Sequence, residues 1–90
     1  MINVKLVSSV KTITDYPFRC IFDLEANGEV FKGALVGHLG EEMANALREG
    51  DDLVIHGHWI AEKNLGNILI IEQAVLPEEA RQGRSVNYYA

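Results

Sequence analysis

The stretch FRCIFDLEANGEVFKGALVG, residues 18–37, decides the fold that this sequence predicts. Along its first half, large apolar side chains occupy every second position, which is the period of a β-strand with one buried face. Asn27-Gly28 follows, and these two residue types tolerate the positive φ angles of a two-residue type I′ turn. The stretch therefore predicts a long β-hairpin in which Ala26 pairs with Glu29.

This register gives the hairpin an inner and an outer face, because successive side chains of a strand point to opposite sides. The inner face is expected to lie in the core and carries Cys20, Phe22, Leu24, Phe31 and Leu35. The outer face carries Arg19, Ile21, Asp23, Val30, Lys32, Ala34 and Val36. Binding is expected on the outer face, because the inner one is needed for the core.

The composition is that of one small globular domain, with 90 residues, 48% of them hydrophobic and 23% charged. The net charge of −5 argues against tight nonspecific binding to a phosphate backbone, which depends on clustered Lys and Arg. The single cysteine, Cys20, allows no internal disulfide, so the cytoplasm is the expected compartment. The sequence shows neither a signal peptide nor an apolar run long enough for a membrane span, so no membrane partner is expected.

Three more strands are predicted outside the hairpin. The first covers residues 2–13 and changes phase near Leu6-Val7, which is typical of a bulge. The second begins at Leu53, and the last runs from Ile68 to Leu76 and is almost continuously apolar through Ile71.

A short helix is predicted between the hairpin and the second of these strands. It begins near His38 and presents one apolar stripe, formed by Leu39, Met43, Ala46 and Leu47. Its expected boundary signals are Glu41 and Glu42 in the first turn, Arg48 in the last turn and Gly50 as a C-terminal cap.

This order of elements predicts an all-β domain: a five-stranded Greek-key barrel with one short helix between strands 3 and 4, which is the OB-fold arrangement. The barrel is expected to occupy residues 1–77, and residues 78–90 are expected to form a flexible C-terminal tail. The alternative is a small half-open sheet packed on one helix.

A resemblance to a known family supports the barrel. The stretch ANALREGDDLVIHG, residues 44–57, resembles the passage from helix to fourth strand in OB-fold nucleic-acid binders, where Leu-x-x-Gly-(Asp/Ser) precedes alternating β-branched residues and a glycine. Residues 66–76 are similar to the turn and fifth strand of the bacterial single-stranded DNA-binding protein family. A similar cadence occurs in the N-terminal module of the exodeoxyribonuclease large subunit.

The resemblance covers roughly residues 18–76 and implies a function as well as a fold. It implies a module that binds single-stranded DNA, or alternatively RNA, in DNA replication, recombination or repair. Two features of the family are missing: a long Gly-rich acidic tail with an apolar tip, and stacking aromatic residues on the outer face of the hairpin.

Candidate contacts to a nucleic acid are basic or aromatic residues on the first strands and on the last hairpin. They are Lys5, Lys11, Arg19, Lys32, His56, Trp59 and Lys63. Trp59 has the parity of Leu53 and Ile55, so burial in the core is favoured over a position at the barrel mouth.

A second function is left open, an OB-fold module for protein interaction or oligomerisation with little nucleic-acid binding. Its interface would be the apolar part of the outer hairpin face, with a protein partner reached there or through the C-terminal tail. The candidate interface residues are Ile21, Val30, Ala34 and Val36. The same apolar strip predicts a homo-oligomer.

No catalytic residue, cofactor or metal site is predicted. His56 and His58 project from the same face of a strand, but a zinc site needs a third or fourth ligand, and solvated histidines are the simpler interpretation. Cys20 lies on the inner face, where a reactive thiol is not expected. The chain is therefore not expected to be an enzyme.

Overall fold

The computed structural model of the chain describes residues 2–75 and 88–89. Within these residues it contains seven strands and one helix. In chain order they are β1 (Ile2–Leu6), β2 (Lys11–Asp15), β3 (Phe18–Ala26), β4 (Glu29–Val36), α1 (Gly37–Ala46), β5 (Asp52–Glu62), β6 (Gly66–Val75) and β7 (Tyr88–Tyr89).

Five of the strands close into a barrel, which is compatible with an OB-fold. The neighbours around the barrel are β1, β5, β6, β4 and β3, and the pairing of β3 with β1 completes the ring. All these pairings are antiparallel except that of β4 with β6. The half-open sheet considered from the sequence is therefore wrong.

The central hairpin has the predicted turn and register. Asn27 and Gly28 have φ angles of 54° and 82°, as a type I′ turn requires. Pairing runs without a shift from Ala26–Glu29 to Arg19–Val36. Four of the five predicted inner-face residues are fully buried, and Phe31 is half-buried and packed against the core.

The prediction of one strand over residues 2–13 is wrong in one respect. The chain forms two strands there, β1 and β2, which both pair with β3 but at its opposite ends. Between them, the backbone N–H of Val7 donates to the carbonyl of Asp23, and the Ser8 hydroxyl accepts from the N–H of Asp23. Because of the split, the helix lies between β4 and β5 and not between the third and fourth strands.

The helix closes the barrel next to the end of β4, where Met43 and Leu47 are buried in the core. The helix starts at Gly37, next to the predicted His38, but its predicted boundary signals were wrong, because no acidic residue lies in its first turn and its C-cap is Leu47 and not Gly50. Arg48 follows the helix, and its guanidinium donates to the carbonyl oxygens of Asn45 and Leu47, both 2.9 Å away. The basic side chain therefore still satisfies carbonyls at the C-terminal end, as cations near helix ends do.

The predicted tail, residues 78–90, lies mostly outside the described residues. The exception is β7, in which Tyr88 and Tyr89 pair with Ala74 and Gln73 of β6. Among the described residues, no helix has the length and apolarity needed to cross a membrane.

Candidate nucleic-acid interface

One end of the barrel is defined by two tight turns. The strands β4 and β6 run parallel, and each begins directly after a turn, at residues 27–28 and 63–65. Both turns therefore lie at the same end, which we call the open end. The helix follows the last residue of β4 and so lies at the opposite end.

An exposed tryptophan and a half-buried phenylalanine meet at the open end. Trp59 is 52% exposed, and its ring lies 5.4 Å, centroid to centroid, from that of Phe31, with the planes tilted by 57°. This tilted arrangement is a favourable geometry for two aromatic rings. One ring thus supports the other while leaving much of the indole accessible, and we call the two the aromatic pair.

The predicted burial of Trp59 is wrong, and the course of β5 explains why. Leu53 and Ile55 are buried as their parity requires, but the register against β6 shifts between His56 and Gly57. At Gly57 the strands press together so closely that a Cβ would lie 2.1 Å from the carbonyl oxygen of Ile70. Beyond this crossing β5 runs toward the open end, so Trp59 keeps the inner parity but lies at the mouth of the barrel.

Two of the predicted basic contacts are already paired with carboxylates. The ammonium of Lys32 lies 2.7 Å from Asp23 on the outer face, and that of Lys5 lies 3.3 Å from Asp52. In each pair the neighbouring carboxylate offsets part of the positive charge that would attract a phosphate. Both lysines are therefore weaker candidates than the sequence suggested.

The other basic candidates have no ion-pair partner within the part of the chain that the structure describes. These are Lys11, Arg19 and Lys63, and all three are exposed. Lys63 lies in the β5–β6 turn, at the open end with the aromatic pair. Arg19 pairs with Val36, the last residue of β4, and so lies near the helix.

The predicted contacts therefore fall into two groups and do not form one patch. Phe31 and Val36 are five residues apart on β4, which corresponds to about 17 Å along a strand. A ligand that contacts both Trp59 and Arg19 must span most of the barrel wall. That requirement suits an extended polymer better than a small molecule.

The histidine candidate belongs to a cluster that the sequence did not predict. A bulge in β6 places Glu72 beside two histidines of β5, with its carboxylate 3.7 Å from His56 Nε2 and 2.5 Å from His58 Nδ1. The position of a bulge cannot be predicted from residue spacing, so nothing in the sequence indicated that Glu72 would lie beside the two histidines. No group of three His, Cys, Asp or Glu side chains suited to a metal ion is found among the described residues.

The outer face carries a wider apolar strip than the hairpin alone. Ile21, Ala34 and Ile70 lie side by side on β3, β4 and β6, and Ile68 pairs with Ile60 in the next row. We call these five residues the outer strip. Ala34 and Ile68 are only 5% and 3% exposed, so these two members offer little surface. The signal for its β6 members was the continuous apolar run, which is typical of a strand covered on both faces.

The predicted interface residues differ in how much surface they offer. Val30 is 60% exposed, Ile21 and Val36 are half-buried, and Ala34 is buried. Ala34 itself would therefore add little area to the predicted contact.

An open groove of about 360 Å³ lies where β1 separates from β3. Its floor includes Val4 and Leu53, and the Lys5–Asp52 ion pair lies at its rim. The groove has carboxylates and an ammonium on its walls without a surplus of positive charge, so it offers no evident phosphate site.

Cys20 is a buried free thiol, 1% exposed. Burial raises the pKa of Cys20 above its ordinary value, against a smaller opposing effect of a backbone hydrogen bond at Leu35. The side chain is therefore held as a neutral thiol, which is not the nucleophilic form.

Comparisons of the chain with protein-family models, with curated proteins and with solved structures find no match.

Proposed function

We propose that the chain is an OB-fold module that binds single-stranded nucleic acid, with single-stranded DNA as the expected ligand and DNA replication, recombination or repair as its setting. The observation that carries the proposal is the aromatic pair, with Trp59 52% exposed and supported by Phe31. The closed barrel supplies the scaffold that such modules use. RNA is the alternative ligand of the same chemistry.

Stacking on Trp59 is the main source of affinity in this proposal. Base–aromatic stacking contributes about 1–3 kcal/mol per base, and every base has a face that can take part. Contact with the Phe31 ring restricts the indole of Trp59 before a ligand binds, so less side-chain entropy is lost on binding. One well-placed ring suits modest, sequence-tolerant binding.

Phosphate contacts are the second source, and they are few. Lys63 lies at the same end of the barrel as the aromatic pair, while Lys11 and Arg19 lie toward the helix end of the hairpin. The net charge of −5 opposes a polyanion at long range, so the affinity is expected to be weak at physiological salt. A ligand of several nucleotides is needed to reach both groups of cations.

Titration of the protein with unlabelled oligo-dT tests the stacking contact directly, because Trp59 is the only tryptophan of the chain. Stacking of a base on the indole should quench its fluorescence. The affinity is measured separately from the anisotropy of a labelled oligo-dT, so that variants without tryptophan can be compared. Trp59→Ala should weaken binding about 5- to 150-fold, which corresponds to the loss of about 1–3 kcal/mol.

Tyr16→Ala is the matched control, because Tyr16 is 98% exposed but lies in the β2–β3 turn. It should leave the quenching of Trp59 unchanged and weaken binding less than Trp59→Ala does. If Trp59→Ala and the wild type bind oligo-dT with equal affinity, the aromatic pair is not part of the binding site. Absence of binding by the wild type at low salt would end the nucleic-acid proposal.

A second candidate function, protein interaction, is favoured by one observation, the outer strip. Its half-buried members, Ile21, Ile60 and Ile70, keep some apolar surface on the outside of the barrel, where polar residues are more usual. This candidate predicts that oligo-dT leaves the fluorescence of Trp59 unchanged and that the protein associates with a protein partner or a second copy through the outer strip.

A further inference from the structure

The strand β2, Lys11–Asp15, has a free edge. Within residues 2–75 and 88–89 it pairs only with β3, and all five of its residues are exposed. Ile13, in its centre, is 45% exposed. The unpaired N–H and C=O groups of such an edge can pair with another strand.

Two features of β2 restrict what can pair there. A lysine stands at its first position, and the register against β3 shifts between Thr12 and Thr14. Lysines and bulges on edge strands normally discourage nonspecific pairing. An occupant must therefore supply a negative charge opposite Lys11 and tolerate an irregular centre.

A second copy of β2 meets both requirements. The sequence Lys11-Thr12-Ile13-Thr14-Asp15 is self-complementary in charge when reversed about Ile13. We propose that two copies of this chain form a symmetric dimer by antiparallel pairing of their β2 edges, with the two-fold axis at Ile13. Each Lys11 then lies opposite Asp15 of the second copy, and each Thr12 opposite Thr14.

The charge pattern selects this register against its neighbours. A parallel, in-register alignment would place Lys11 opposite Lys11 and Asp15 opposite Asp15. An antiparallel alignment centred on either terminal residue would also set like charges opposite each other, which destabilises strand pairing. Only the arrangement centred on Ile13 forms two ion pairs at once.

The bulge fits the same symmetry. The regular halves of β2, residues 11–12 and 14–15, lie on either side of the shift. Rotation about Ile13 places the first half of one copy opposite the second half of the other, so the irregular positions coincide at the axis. There the two exposed Ile13 side chains cover each other, and Thr–Thr pairs flank them.

Charge reversal with rescue tests the proposal. Sedimentation velocity over the micromolar to millimolar range, at low salt, should show reversible dimerisation of the wild type. Lys11→Asp and Asp15→Lys should each weaken association by about tenfold, because both ion pairs become repulsions. The double variant Lys11→Asp/Asp15→Lys should restore it, since each introduced carboxylate would again face an introduced ammonium group of the second copy.

Val30→Asp is the control for a different contact, because Val30 is 60% exposed on the outer face of the β3–β4 hairpin and away from β2. It should dimerise like the wild type. The proposal is overturned by a 10.0 kDa monomer at every concentration, by single variants that associate normally, or by a double variant that stays dissociated. Loss of the dimer in Val30→Asp alone would place the contact on the hairpin face instead.

Discussion

The ring of Trp59 lies against that of Phe31, with centroids 5.4 Å apart, although the strands that carry them are separated by β6. Both side chains have the inner parity of their strands, so the rings meet over β6 at the open end of the barrel. The contact couples an exposed group to the core, because Phe31 packs against the buried cluster on its other side. A change at Phe31 should therefore alter both stability and the presentation of the indole.

Phe31→Ala should lower the free energy of unfolding by roughly 2 kcal/mol, less than for a fully buried phenylalanine because Phe31 is half-buried. The emission of Trp59 should shift to longer wavelength, since the indole loses its aromatic neighbour and becomes more hydrated. Urea denaturation and fluorescence spectra measure the two effects. Val30→Ala is the neighbouring control and should change stability by no more than about 0.5 kcal/mol. An unchanged emission spectrum in Phe31→Ala would show that the rings do not meet in solution.

Gly57→Ala should be strongly destabilising, because the added Cβ would lie 2.1 Å from a backbone carbonyl oxygen that cannot move away without separating β5 from β6. Gly28→Ala is a useful comparison, since nothing lies within 4 Å of its Cβ position and only its positive φ of 82° causes strain. That variant should lose about 1 kcal/mol, and Gly57→Ala clearly more. Equal midpoints in urea for the two variants would contradict the close crossing at Gly57.

The stability of the protein should fall with rising pH above the ordinary thiol pKa of 9.0, in part because of Cys20. Its pKa is higher in the folded than in the unfolded state, so the unfolded chain loses the proton first as the pH rises. The contribution is constant below the unfolded value and decreases between the unfolded and the folded pKa. Cys20→Ala should show a shallower decline of the unfolding free energy over this alkaline range. Identical slopes would mean that the thiol is already accessible to water in the folded state.

The hairpin could be predicted residue by residue because local rules determine it. The dipeptide Asn27-Gly28 specifies the turn, and with a buried face on one side a slip of one residue would expose Phe22 and Leu24. The closed barrel followed from the order of elements. The split of the first strand did not, because it depends on hydrogen bonds such as that from Val7 to Asp23 in another strand.

The candidate site was harder to predict because it depends on where strands cross. Trp59 is exposed because β5 continues beyond Gly57 to the mouth of the barrel. The alternation of side chains along a strand predicts which face a residue lies on but not where along the strand the core ends. Glu72 meets the two histidines only because of a bulge in its strand. Lys32 could be identified as a surface cation, but its ion pair with Asp23 follows from the register that places the two opposite each other.

The salt dependence of binding should separate free cations from paired ones. For single strands, the logarithm of affinity falls against the logarithm of salt concentration with a slope of about −0.7 per phosphate contact. Lys63→Ala removes an exposed cation at the open end and should make the slope shallower by about 0.7. Arg19→Ala should do the same if the ligand reaches the helix end of the hairpin.

Lys32→Ala is the matched control, because it removes the same kind of charge from a lysine held 2.7 Å from Asp23. Its slope should stay close to that of the wild type. The sequence alone placed Lys32 on a par with Arg19. Because Lys32 is paired with Asp23, the combined variant Arg19→Ala/Lys32→Ala should nevertheless behave as Arg19→Ala alone. Anisotropy titrations of labelled oligo-dT at four or more salt concentrations give each slope. If Lys32→Ala reduces the slope as much as Lys63→Ala, the Lys32–Asp23 pair must open on binding and the ligand must also run along the outer face.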